Sequence, residues 1–74
     1  MARKQRDKAP TVSQSPDPFN PGFYRVRIFR RRGLTGHWVT VNRKPLTQDQ
    51  AISACARIIS GQSISRALLR ARKD

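Results

Sequence analysis

From Phe23 the chain alternates with a period of two, Phe23-Tyr24-Arg25-Val26-Arg27-Ile28-Phe29-Arg30, with Tyr24, Val26 and Ile28 at every second position, and it does so again with Val39 and Val41 in His37-Trp38-Val39-Thr40-Val41-Asn42. A period of two predicts two β-strands, and Arg32-Gly33-Leu34-Thr35-Gly36 between them supplies two glycines for a tight reversal. The same period sorts the faces. Tyr24, Val26 and Ile28 share one face and match Val39 and Val41 across the hairpin. The other face shows Phe23, Arg25, Arg27, Phe29 and Arg31, with Trp38, Thr40 and Asn42 on the partner strand. A hairpin alone is marginal, so its aliphatic face needs a cover.

The last third supplies the cover. After Pro45-Leu46, the run Thr47-Gln48-Asp49-Gln50 reads as a capping box, with Thr47 as N-cap and Gln50 at N3. Asp49 in the first turn suits the positive end of the helix dipole. Ile52, Cys55, Ala56 and Ile59 then recur at i, i+3, i+4 and i+7, the apolar stripe of a helix. Ser60-Gly61-Gln62-Ser63 reads as a helix stop followed by a new N-cap, and a second stripe follows at Ile64, Ala67, Leu68 and Ala71. In one straight helix the second stripe would be rotated by roughly 120° at about 100° per residue. Two helices are therefore expected.

Residues 1–22 hold four of the five prolines and no hydrophobic periodicity, which predicts a flexible, basic, Pro-rich arm. Residues 23–74 form a single small ββαα domain. The expected fold class is α+β: a β-hairpin, or a three-stranded sheet if the arm adds a strand, packed on one or two C-terminal helices behind a disordered basic N-terminal arm. With so few apolar side chains, stability is borderline, and a strand from the arm, a homodimer or a bound partner would complete the core.

Residue inventory narrows the chemistry. The carboxylates are Asp7, Asp17, Asp49 and Asp74, and there is no Glu, which argues against paired-carboxylate catalysis and oxygen-ligated metal sites. One Cys (Cys55) and one His (His37) can make neither an intramolecular disulfide nor a four-ligand zinc site. Cys55 is expected to face the core, and His37 to be structural or to contact phosphate. The expectation is a non-enzyme with no catalytic residues, cofactor or metal. No apolar run is long enough for a membrane span. The expected location is intracellular, cytoplasmic or nucleoid-associated, or packaged inside a particle.

Charge then gives the chain a direction. The 74 residues carry a formal net charge of +12, with 16 Lys+Arg against 4 Asp+Glu. Residues 23–44 hold Arg25, Arg27, Arg30, Arg31, Arg32, Arg43 and Lys44 with no acid. Most of the charge thus falls on the segment expected to fold. Alternating guanidinium groups and aromatic rings suit nucleic acid: arginine neutralises phosphates, and Phe29 and Trp38 stack on bases or wedge between them. Arg66, Arg70 and Lys73 add a basic stripe to the second helix, and Arg3, Lys4, Arg6 and Lys8 charge the arm. A helix-turn-helix fits poorly, because Arg57 and Gln62 stand where small and apolar residues are needed. The order of basic arm, Arg-rich sheet and supporting helix resembles that of phage integrase arm-binding domains and plant ethylene-response-type DNA-binding domains, a similarity of order and size.

The leading expectation is a small nucleic-acid-binding protein, duplex DNA ahead of RNA, in the manner of a phage or mobile-element accessory factor. Seven phosphate contacts would give a log K against log[salt] slope of about −6. The alternatives are a structural component of a ribonucleoprotein or virion, and an interaction module or inhibitor docking on an acidic protein partner.

Overall fold

The first alternating segment becomes the middle strand of a three-stranded antiparallel sheet. In the computed structural model, which describes residues 11–73, the elements are β1 (Val12–Pro16), β2 (Tyr24–Arg32), β3 (Thr35–Thr40), α1 (Gln48–Ile59) and α2 (Ile64–Lys73). The sheet order is β1-β2-β3, and the fold is α+β. The third strand comes from the Pro-rich segment read as flexible. Val12 pairs with Ile28 and Pro16 with Tyr24, so the ordered unit begins well before Phe23. Pro16 closes the ladder at an edge strand, where a missing N–H is harmless. The basic residues Arg3, Lys4, Arg6 and Lys8 lie outside the described residues.

The loop between β1 and β2 is tied by its acid. The Asp17 carboxylate accepts from the Phe19 N–H at 2.9 Å and from the Asn20 amide at 3.1 Å, and Gly22 takes a φ of 86°. The Phe19 N–H holds the Asp17 carboxyl below its ordinary value, with further help from the Asn20 amide and the charge of Arg25.

Between β2 and β3 the reversal is tighter than the two glycines suggest. Arg32 pairs with Thr35, leaving Gly33-Leu34 as a two-residue turn with Gly33 at φ 58°. Only Gly33 has positive φ in this turn, the pattern of a type II′ hairpin. Strand β3 consequently starts at Thr35 rather than His37.

Past β3, Asn42 replaces the next rung of the ladder. Its Oδ1 accepts from the Val26 N–H at 2.8 Å, and its amide donates to the Lys44 carbonyl at 2.8 Å. The chain then returns to β2, where Leu46 and Tyr24 exchange backbone bonds of 2.7 and 3.1 Å.

Helix α1 covers the Val26/Ile28 face and α2 packs on α1, but α1 is turned by one residue from its expected phase. Buried are Ala51, Ala54, Cys55 and Ile58, while Ile52 and Ile59 remain 48% and 49% exposed and Ala56 is exposed. Both quartets have identical spacing, so periodicity cannot choose between them. The smaller quartet faces inward. The core it joins already holds Val26, Ile28 and Leu46, and α2 contributes Ala67 and Ala71. Small residues let the helix backbones approach one another and the sheet closely.

Leu46, which the hydrophobic periodicity does not single out, is fully buried. It stands at N′, with Ala51 at N4 also fully buried, the placement of a hydrophobic staple. The capping box itself is present: Thr47 Oγ1 accepts from the Gln50 N–H at 3.2 Å, and Gln50 Oε1 accepts from the Thr47 N–H at 3.0 Å. Thr47→Ala should therefore cost about 1 kcal/mol in urea denaturation. An unchanged midpoint would show that the box is idle.

The α1–α2 junction is a Schellman turn, as the glycine stop implied. Gln62 N–H donates to Arg57 O at 3.0 Å, Gly61 N–H donates to Ile58 O at 3.1 Å, and Gly61 has φ 112°. Ser63 caps α2, accepting from the Arg66 N–H at 3.3 Å. Among the described residues, no helix is long and apolar enough to cross a membrane.

Candidate nucleic-acid interface

Helix α1 covers one face of the sheet, and among the described elements none packs on the other, the open face. On β2 the open face carries Arg25, Arg27, Phe29 and Arg31, and on β3 it carries Trp38 and Thr40, as the alternation implied. From β1, Ser13 lies opposite Arg27 and Ser15 opposite Arg25. Short hydroxyl side chains beside long guanidinium stems leave the arginines room to lie across the sheet. The Nε atoms of Arg25 and Arg27 are shielded from solvent and have no hydrogen-bond partner among the described residues. Both side chains are half-buried, as long cations packed along a sheet face commonly are.

Phe29 and Trp38 stand directly opposite each other. Val41 N–H donates to Val26 O at 2.9 Å, which makes Phe29/Trp38 a non-hydrogen-bonded pair with its side chains close. Their ring centroids are 5.4 Å apart at 67°, edge to face, and the Arg27 guanidinium carbon lies 5.9 Å from the Trp38 ring centroid. Gly36 makes room for this pair. A Cβ built at Gly36 would fall against the Phe29 ring, 2.6 Å from Cε2, so the second glycine serves packing rather than the turn. Nothing in the period-two pattern distinguishes those two roles.

The remaining expected contacts disperse. Arg30 and Arg32 project from the opposite face of β2, beyond the reach of the helices, and both are exposed. Arg43 and Lys44 follow β3 and border an open groove of about 690 Å³ whose apolar lining includes Val41, Ile64, Leu68 and Leu69. The Arg72 guanidinium donates to Lys44 O at 3.1 Å and to Pro45 O at 3.5 Å, tying the end of α2 to that loop. Arg66, Arg70 and Lys73 line a shallow depression on α2 with Ser63, Ser65 and Leu69, within the helix layer and away from the open face. Five of the named bases, Arg25, Arg27, Arg30, Arg31 and Arg32, therefore belong to β2, and five others lie elsewhere.

Cys55 is buried, and burial pushes its thiol up from the ordinary value. Among the described residues no three His, Cys, Asp or Glu side chains gather as a metal site would require. No family model, curated protein or solved structure matches the chain.

Proposed function

We propose that the chain binds nucleic acid through the open face of its sheet and the arginine-rich end of β2, neutralising phosphates and offering Trp38 and Phe29 as stacking surface. One observation carries this reading: Arg25, Arg27 and Arg31 line one face that no other described element covers, beside an aromatic pair, with no acid anywhere in residues 23–44. Such a face repels cations, has a single carboxylate at its margin, Asp17 beside Arg25, and gains by releasing counterions from a polyanion. The role is binding, and no chemistry is required of the face.

A salt titration on duplex DNA tests the reading. The five arginines of β2 predict a log K against log[salt] slope of about −4.5, shallower than the value for all seven bases of residues 23–44. A slope flatter than about −2, or no binding near 50 mM salt, would overturn it.

A second reading is supported by the groove beside α2. Its apolar lining of Val41, Ile64, Leu68 and Leu69, with Arg43, Lys44 and Arg72 at its edge, complements an amphipathic protein segment bearing acids. Retained nucleic-acid affinity in Leu69→Asp, together with failure to capture an acidic amphipathic peptide, would separate the two surfaces.

A further inference from the structure

Beyond Ile28 the β2–β3 hairpin extends past the other described elements. Pairing with β1 ends at Val12↔Ile28, followed by one bond of 3.0 Å from the Phe29 N–H to Thr11 O. Among the described residues, the two strands from Arg30 to His37 pair only with each other, and every residue from 30 to 38 is exposed. Three residues per strand carry this ribbon about 10 Å outward. At its apex the two-residue turn presents Leu34, which is fully exposed. The period of two places Arg31 on one face of the ribbon and Arg30 and Arg32 on the other.

We propose, building on the nucleic-acid reading above, that this ribbon enters the minor groove of double-stranded DNA and that Leu34 is a wedge, inserting between base pairs and bending the duplex. A leucine side chain has no hydrogen-bonding group, so phosphates and groove edges offer it nothing. Its gain comes from leaving water, and the apolar surface of a duplex lies between stacked bases. Cations on both ribbon faces match a cleft whose two walls are both phosphate backbones: Arg31 meets one wall, and Arg30 and Arg32 meet the other. The wide, shallow minor groove of an A-form RNA helix has no such facing walls within reach, and its major groove is too narrow to enter.

Phe19 is 85% exposed at the opposite end of β2, yet it is no equivalent. Its loop, residues 17–23, carries Asp17 and no base, so it lacks the cations that flank the hairpin tip on both faces. Among the described residues, the apolar tip and the two-sided arginines coincide only at Leu34.

Energy transfer between dyes at the two ends of a duplex of about 30 base pairs reads the bend. Bound wild-type protein should raise the transfer. Leu34→Ser should bind within about tenfold of wild type, because leucine burial and base unstacking largely cancel. It should keep the wild-type salt slope and leave the transfer at the value of free DNA. Leu34→Met should bend the duplex as wild type does, and full exposure of Leu34 leaves both variants folded. Bending by Leu34→Ser, a straight duplex under bound wild-type protein, or equal binding and bending of the matching RNA duplex would each overturn the wedge. Wild-type protein that binds neither duplex at low salt would overturn the nucleic-acid reading with it, whereas binding without bending removes the wedge alone.

Discussion

Leu46→Ala is expected to unfold most of the protein at room temperature. The side chain is fully buried, and its backbone closes the sheet by exchanging hydrogen bonds with Tyr24. Truncating a buried leucine costs about 2–5 kcal/mol, including the cavity it leaves. A core in a chain of this size rarely supplies more than about 3–5 kcal/mol in total. Urea denaturation followed by far-ultraviolet circular dichroism reads the outcome, and a stability change below about 1 kcal/mol would mean that Leu46 is not the keystone. Ile58→Ala and Ile59→Ala make a paired check on the phase of α1. The first removes a buried side chain and should cost about 2 kcal/mol or more, whereas the second trims a half-exposed one and should cost below about 1 kcal/mol.

The second large effect concerns binding. Replacing Arg25, Arg27 and Arg31 together by Glu should weaken duplex DNA binding by about a thousandfold or more at about 0.1 M salt, since each phosphate left without its arginine costs a factor of about ten there. Replacing Arg66, Arg70 and Lys73 by Glu changes the net charge by the same amount on the helix layer. If the open face is the site, this second variant should bind far more tightly than the first. Equal weakening would mean that net charge alone drives association, and fluorescence anisotropy with labelled duplex distinguishes the two outcomes. The first variant should remain folded, because close like charges along one sheet face are exchanged for other like charges without touching Val26 or Ile28.

Much of this arrangement is legible in the chain's own pattern. Alternation with a period of two in residues 23–30 and 37–42 places Val26 and Ile28 inward, and Arg25, Arg27, Phe29 and Trp38 outward, because a strand has only two faces. Ser60-Gly61 announces the helix stop, and Thr47 with Gln50 announces the start, because caps are satisfied locally. Strand β1 is less visible. Val12-Ser13-Gln14-Ser15-Pro16 has a single aliphatic residue, and its ordering depends on an unpaired edge of β2 being there to receive it. Leu46 is hidden for a different reason: one apolar residue between a proline and an N-cap has no period, and only the staple position marks it.

The sequence by itself determined the local conformations and the sides on which residues fall: strands at period two, helices between their caps, and a band of arginines without acids. Those outcomes depend on neighbours a few residues away. Tertiary structure decided which of two equally spaced quartets on α1 turned inward, because that choice depends on the space left by Val26, Ile28 and Leu46. It also decided which charges lie together. Seven bases that are close in sequence separate into an arginine-rich strand and a distant pair, Arg43 and Lys44, beside α2, because the chain turns back at Asn42. Among the described residues the hairpin runs on past the last β1 pair, Val12↔Ile28, and that end point, set by pairing between distant segments, leaves Leu34 fully exposed.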